Sequence, residues 1–126
     1  MIRTSYVAQL SPPAPFVSVT LRNPLTGAEQ RDVPAQIDTA ADRTLLPAAL
    51  VQSLSLPHIG TIAMKVVGGI TQTMPLYAVD VILDSMLAQT FEVVANAGEP
   101  WILLGRDIMN AHRMLLDGPQ LFLEIG

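Results

Sequence analysis

The chain has 126 residues, of which 50% are hydrophobic and 14% are charged, and its formal net charge is −4. This length and composition fit one folded domain with a sizeable core and exclude intrinsic disorder. The acidic balance makes nucleic acid a poor partner. The absence of cysteine rules out disulfides, thiol catalysis and cysteine metal sites.

So few charged residues leave an apolar surface, which favours an oligomer over a monomer. No charged segment leads into an apolar one near the N-terminus, and no apolar run approaches the roughly 18 residues of a membrane span. We therefore expect a soluble, cytoplasmic protein with no membrane partner. We expect residues 1–126 to form a single domain, with residues 1–15 as an N-terminal arm and connector.

Turn signals recur about every ten residues, and the segments between them are rich in β-branched and aromatic residues. The first predicted elements are an edge strand in residues 1–10, a Pro-rich connector at 11–15, a strand at 16–21, its hairpin return at 28–33, a short strand ending at Asp38, and a helix at 47–54. The later ones are strands at 61–67, 70–83, 87–95 and 101–104, a helix at 106–111, and a hairpin from 113–116 to 121–125.

This pattern predicts a mainly β domain, a small closed or folded β-barrel with one or two short helices. Pro75 falls inside the strand at residues 70–83, and we expect it to break that strand in two because proline cannot donate a ladder hydrogen bond. Asp80 lies in the same run, and we expect it to face solvent.

One carboxylate stands in unusual surroundings. Asp38 follows an apolar approach and is followed by Thr39, Ala40 and Ala41, three small residues. A carboxylate among apolar groups loses hydration, so it needs hydrogen bonds, a counter-charge or a proton. The two alanines would let backbone, or another chain, come close to it. This placement predicts a catalytic aspartate, while the plainer alternative is a strand-end aspartate that caps a turn.

Three motifs in a fixed order resemble those of the retroviral-type, or retropepsin-like, aspartic proteases. The motifs are Asp38-Thr39-Ala40-Ala41-Asp42, Lys65-Val66-Val67-Gly68-Gly69-Ile70 and Trp101-Ile102-Leu103-Leu104-Gly105-Arg106-Asp107. The first matches the Asp-Thr-Gly-Ala-Asp signature except at Ala40, the second is similar to the flap, and the third to the strand and helix start near the C-terminus. The resemblance covers roughly residues 16–116 and implies a β-barrel of the acid-protease type.

The resemblance also implies an activity, that of an aspartic endopeptidase acting on peptide or protein substrates. Its mechanism needs two aspartates at one site, one to take a proton from water and one to donate to the scissile carbonyl. The chain has one suitable motif, so the resemblance implies a homodimer with Asp38 from each subunit. No cofactor is implied.

Roles for the remaining site residues follow from the resemblance. Thr39 would bond across the dimer axis, and Asp42 would form a structural ion pair with Arg106. Substrate contacts would come from Ala41, from the flap and from the 101–104 strand; the flap and strand residues are Gly68, Gly69, Ile70, Trp101 and Leu103. Each role has a plainer alternative. Thr39 would be an ordinary strand threonine, and Asp42 and Arg106 would be two unrelated surface charges. Residues 68–70 would form a plain tight hairpin, and Trp101 and Leu103 would belong to a buried core strand.

Two other functions stay open at this point. Ala40 in place of glycine would suit a catalytically weak or inactive dimeric module that binds peptide, and a small β-barrel ligand binder would make the three matches coincidental. His58 and His112 are isolated in sequence and offer no ligand set at metal spacing, so we expect no metal site.

Overall fold

The computed structural model describes residues 1–65, 68–84 and 87–126 of the chain. Its strands are β1 Ile2–Ser5, β2 Phe16–Arg22, β3 Glu29–Ile37, β4 Leu45–Pro47, β5 His58–Lys65, β6 Thr71–Leu83, β7 Gln89–Asn96, β8 Ile102–Leu104, β9 Met114–Asp117 and β10 Phe122–Ile125. Its helices are α1 Ala48–Ser53 and α2 Arg106–Met109. None of the helices in these ranges has the length and apolar character needed to cross a membrane.

Six strands close into a barrel in the order β2-β3-β8-β4-β7-β6, with β6 pairing back onto β2. The pairs β3–β8 and β4–β7 are parallel, and the other pairs in the barrel are antiparallel. β5 pairs with β6 outside the closed ring. The expected fold class, a mainly β closed barrel with two short helices, is confirmed.

The barrel closes because its strands alternate apolar residues toward one core. In β2, Val17, Val19 and Leu21 are buried, whereas Ser18 between them is exposed. Residues from β3, β6, β7, β8 and α2 fill the same core. They include Val33, Ala35, Ile37, Val79, Val81, Val93, Ile102, Leu104 and Ile108.

Two prolines lie inside strands without breaking them. β6 runs unbroken through Pro75, so the predicted break is wrong, and β3 likewise continues through Pro34. Each proline comes immediately before the residue at which its strand gains a second neighbour. β8 pairs with β3 from Ala35 onward, and β7 pairs with β6 from Leu76 onward. Both prolines therefore occupy edge-like positions, where a missing donor is tolerated.

The chain termini form a separate three-stranded antiparallel sheet in the order β1-β10-β9. The predicted terminal hairpin is confirmed, with Phe122 opposite Asp117 and Ile125 opposite Met114. Leu123 and Ile125 are buried against the barrel, which anchors this sheet to the core. The segment between β1 and β2 returns to the barrel at Pro15, whose carbonyl accepts from the N–H of Ile37.

Asn23 ties the β2–β3 turn to the end of α1. The residue is 1% exposed, and its side-chain amide nitrogen donates to the carbonyls of Leu54 (2.9 Å) and Ser55 (3.0 Å). Its Oδ1 accepts from the N–H groups of Leu25 (2.9 Å) and Thr26 (3.3 Å). The side chain thus satisfies backbone groups in two separate segments.

Replacing Asn23 by alanine should lower the free energy of unfolding by roughly 2–4 kcal/mol, because buried backbone groups lose their partners. Asn23→Asp keeps the acceptor but puts a buried carboxylate oxygen against the Leu54 and Ser55 carbonyls, so we expect a loss at least as large. Urea unfolding followed by the fluorescence of Trp101, the single tryptophan, measures both. A loss below about 0.5 kcal/mol for Asn23→Ala, the range of ordinary surface substitutions, would contradict the role of Asn23 as a tether.

Candidate active site

Asp38 is the first residue beyond the end of β3, at the mouth of the barrel. Ile37 pairs with Leu104, and the N–H of Asp38 donates to the carbonyl of Leu104 (3.1 Å). The chain then turns sharply, with the N–H of Ala41 donating to the carbonyl of Asp38 (3.2 Å). The Asp38 residue is half-buried, and its Oδ1 accepts from the N–H of Ala40 (3.1 Å). One carboxylate oxygen is therefore oriented by the turn itself.

The start of α2 packs directly on the segment that follows this turn. A Cβ on Gly105 would lie 2.6 Å from the carbonyl carbon of Arg43 and 2.9 Å from the backbone nitrogen of Thr44. No other residue fits such an approach of two backbones. The glycine at the end of the apolar strand β8 thus allows the loop after Asp38 and the start of α2 to meet.

Thr44 and Asp107 join these two backbones. Thr44 is fully buried, and its hydroxyl donates to Asp107 Oδ1 (2.7 Å) while accepting from the N–H of Gly105 (3.0 Å). Asp107 Oδ2 accepts from the N–H of Thr44 (3.1 Å), and Oδ1 also accepts from the N–H of Ile108 (2.9 Å). Bonds to an ionised acceptor are stronger than those between neutral groups. These bonds hold the loop after Asp38 against α2.

Sequence reasoning assigned no role to Thr44 or Asp107. A usable signal was present for Asp107, because an acidic residue in the first turn of a predicted helix favours bonds to the free N–H groups there. No comparable local signal marked Thr44. Its partners lie more than 60 positions away in sequence.

Arg106 holds the loop in a different way from the one predicted. Its Nη1 donates to the carbonyl of Thr39 (2.7 Å), and its N–H donates to the carbonyl of Ala41 (2.9 Å). The expected ion pair with Asp42 is absent from the ion pairs of the described residues, which are Arg3–Glu124, Arg22–Asp80 and Arg31–Glu29. The turn directs the Thr39 carbonyl toward the guanidinium, whereas Asp42 is exposed.

The β5–β6 hairpin has the predicted glycine tip. Gly68 (φ 98°) and Gly69 (φ 80°) adopt the left-handed conformation that glycine favours, and Ile70 is 63% exposed. Lys65 pairs with Thr71 on the two sides of this tip. The other two residues of the flap motif, Val66 and Val67, lie outside the described residues.

A cavity of about 320 Å³ lies between β5 and the loop that follows Asp38. It is lined by Asp42, Arg43, Ile62, Ala63, Met64 and Lys65. The fold thus brings two of the three sequence motifs to the two walls of one cleft. A larger cavity of about 710 Å³ lies apart from them, between the first half of β3, the start of α1 and residues 96–100.

Trp101 and Leu103, the third motif, make contacts within the barrel. Trp101 Nε1 donates to Gln36 Oε1 (3.0 Å), and its ring packs edge-to-face on Phe16 at 5.2 Å between centroids. Leu103 is half-buried and lies in register with Gln36 and Leu45. In the described part of the chain, the lining of the cleft beside β5 includes neither of these residues, nor the other predicted substrate contacts, Ala41, Gly68, Gly69 and Ile70. Their predicted substrate contacts stay predictions.

Asp80 corrects another expectation. It is 7% exposed rather than solvent-facing, and its carboxylate accepts from Arg22 Nε (3.1 Å) and from the Thr90 hydroxyl. This pairing satisfies a charge inside the sheet that closes the barrel. His58 packs beside Tyr77. Among the residues with described positions, no three His, Asp or Glu side chains are grouped to hold a metal.

Gly105→Ala should lower the free energy of unfolding by roughly 2–4 kcal/mol, because its methyl group would overlap the Arg43 backbone. The matched control is Gly118→Ala, whose Cβ would meet no atom within 4 Å. We expect that control to stay within about 0.5 kcal/mol of the unmodified chain. Equal stability of the two variants in urea unfolding would contradict the close backbone contact.

No protein-family model matches the sequence, and no curated protein matches it. Among solved structures, the chain is similar to a retropepsin-like aspartic protease from Rickettsia conorii, with a TM-score of 0.52 and 15% sequence identity. The match covers 87% of this chain and 93% of the other. Similarity at this level of identity shows the fold, and the chain therefore has a retropepsin-like fold.

Proposed function

We propose that the chain is an aspartic endopeptidase, active as a homodimer with one Asp38 from each subunit. The observation that carries this proposal is the position of Asp38. It lies at the mouth of a retropepsin-like barrel, in a tight turn that is bonded to α2, and Asp42 and Arg43, which follow that turn, line a cleft with β5. The chain has one such carboxylate, so the site needs a second copy.

The reaction would use the two carboxyl groups in different protonation states. Two carboxylates at one site cannot both ionise cheaply, so the pair shares one proton. The ionised group takes a proton from a water molecule as that water attacks the scissile carbonyl carbon. The protonated group donates its proton to the carbonyl oxygen, and collapse of the resulting tetrahedral intermediate, with proton transfer to nitrogen, breaks the C–N bond.

The loop after Asp38 would supply the fixed geometry that this chemistry needs. Its carbonyls at Thr39 and Ala41 are held by Arg106, and its end is held at Thr44 by Asp107. A rigid loop keeps the carboxylate near its reactive position without reorganisation during the reaction. The Thr39 side chain remains for a bond across the dimer axis, the role that the resemblance implies.

Ala40 is compatible with this loop inside one subunit. The non-glycine residues with positive φ in the described chain are Asp32, Ser55, Asp84 and Leu121, so Ala40 does not need the backbone freedom of glycine. Its N–H already bonds to Asp38 Oδ1. Alanine therefore leaves the turn intact, and the methyl group can affect only what approaches the turn from outside.

The substrate would be an extended peptide bound as a strand beneath the β5–β6 hairpin. The cleft wall offers Ile62, Ala63 and Met64 for apolar side chains, and Asp42 is exposed on the opposite wall. Binding as an added strand uses main-chain hydrogen bonds for affinity and pockets for specificity. Closure of the glycine tip would exclude water from the reacting groups.

Asp38→Asn should lower kcat on a mixed peptide library by at least about 10³-fold, the usual scale for loss of a catalytic group. The assay runs from acid to neutral pH beside Asp32→Asn. Asp32 is exposed and has φ 56°, a conformation that asparagine tolerates, so this control keeps the fold and full activity. Cleavage that persists in Asp38→Asn with unchanged products would refute the mechanism.

A second candidate is a dimeric peptide-binding module with little or no catalysis, favoured by Ala40 where the resembling proteases have glycine. It predicts that the unmodified chain binds extended peptides without cleaving them at any pH in the same assay. It also predicts that Asp38→Asn leaves this binding unchanged. Fluorescence anisotropy with labelled library members measures the binding.

A further inference from the structure

A further cavity, of about 370 Å³, reaches the barrel core between β6, β7 and α2. Its inner wall is formed by three core residues that are at most 5% exposed, Val81, Leu83 and Ile108. None of the residues that line it also lines the cleft beside β5. Its volume lies within the range of small-molecule sites, about 300–1,000 Å³.

The start of β7 explains why solvent reaches these core side chains. Val81 lies opposite Gln89 in the register of β6 and β7, so Gln89 takes an inward-facing position of the barrel. Gln89 is nevertheless exposed, and Leu87, two residues earlier, is 90% exposed. The inward-facing row of β7 therefore runs from the packed core to an open mouth with an apolar residue at its rim.

The polar groups of this cavity are few and carry one kind of chemistry. Among the described residues, its lining includes the polar side chains Gln89 and His112 and no aspartate, glutamate, lysine or arginine. His112 is half-buried, and its N–H donates to the carbonyl of Met109 (3.0 Å) at the end of α2. Its imidazole ring forms no hydrogen bond or ion pair with another described residue. The ring nitrogens therefore remain available to a ligand.

These groups select a ligand with one anionic end. An imidazole and a primary amide both supply N–H donors, and a hydrogen bond to an ionised acceptor is stronger than one between neutral groups. An ammonium group would find no carboxylate in the lining. A peptide would bring amide groups into the apolar part of the cavity, where they would lack partners. A plain hydrocarbon chain with a carboxylate avoids both costs.

We propose that this cavity binds an alkyl carboxylate of the fatty-acid class. The carboxylate accepts hydrogen bonds from the His112 ring and the Gln89 amide. The hydrocarbon chain lies on the inner wall of Val81, Leu83 and Ile108, and Phe91 covers it on the β7 side. The site uses no residue of the loop after Asp38, so it stands whether or not the chain is a peptidase.

Octanoate is the probe, and the two histidines of the chain report where it binds. In proton NMR, we expect the Hε1 resonance of His112 to shift saturably with octanoate. The Hε1 resonance of His58, which packs beside Tyr77, should stay in place and serves as an internal control. The spectrum of His112→Ala identifies which resonance is which. Equal shifts of both histidines, or no saturable shift of His112, would overturn the proposal.

The charge of the ligand is tested with octylamine, which has the same chain length. It should bind at least about tenfold more weakly than octanoate, because it loses the charged hydrogen bonds. For the same reason, His112→Ala should raise the octanoate dissociation constant at least about tenfold. His112→Gln keeps an N–H donor and should raise the constant by less. Equal affinity for octanoate and octylamine would contradict the assigned chemistry.

Gln89→Glu tests where the carboxylate lies. It keeps the size of the side chain and adds a like charge to the cavity, so the octanoate dissociation constant should rise about fivefold in titration calorimetry. Gln120→Glu is the matched control, because it makes the same change of charge at an exposed turn residue outside the cavity. We expect it to leave the constant unchanged. A rise of equal size in both variants would count against the site.

Chain length separates binding in the cavity from an ionic contact at the surface. Each buried methylene group should strengthen binding about fourfold, so octanoate should bind about fifteenfold more tightly than hexanoate. Because octanoate binds only the folded chain, it should also raise the urea midpoint followed by Trp101 fluorescence. Equal affinities for hexanoate and octanoate, or tighter binding of N-acetyl-leucyl-leucine than of octanoate, would overturn the fatty-acid assignment.

Discussion

The contact on which the site depends is the approach of the Gly105 backbone to that of Arg43 and Thr44. It joins the end of β8 to the loop that leaves β3, two segments about 60 residues apart in the chain. At the same point, the Asp107 carboxylate accepts hydrogen bonds from both the N–H and the hydroxyl of Thr44. The packing of the start of α2 on the loop after Asp38 follows from this junction.

The strands could be predicted well because their signals are local. Apolar alternation, β-branched residues and turns that contain glycine or proline identified β2, the β5–β6 hairpin and the terminal hairpin. Expectations that depended on neighbours in space were less successful. Pro34 and Pro75 look like strand breakers until the pairing partners are known, and β4, with three residues, is a strand only through β7 and β8.

The same difference between local signals and contacts of distant residues applies to the candidate site. The turn at Asp38 and the glycine tip could be predicted because their residues are adjacent in sequence. The partner of Arg106 could not, because which acceptor lies nearest a guanidinium depends on where a distant turn directs its carbonyls. The Thr39 carbonyl accepts a hydrogen bond from the Arg106 guanidinium, whereas Asp42 is exposed. The burial of Asp80 could not be predicted either, because its partner Arg22 lies 58 positions earlier in the chain.

The unbroken course of β6 has a consequence for how the hairpin over the cleft can move. From Leu76 onward β6 is held by β7, but before it only β5 supports the strand. Among the described residues, bending is therefore confined to Thr61–Lys65 of β5 and Thr71–Pro75 of β6, and it begins at Pro75, where the ring restricts φ and the strand has one neighbour. The barrel end of the strand stays fixed. In the described residues, β6 is thus held between two strands from Leu76 onward and has β5 as its neighbour before that residue.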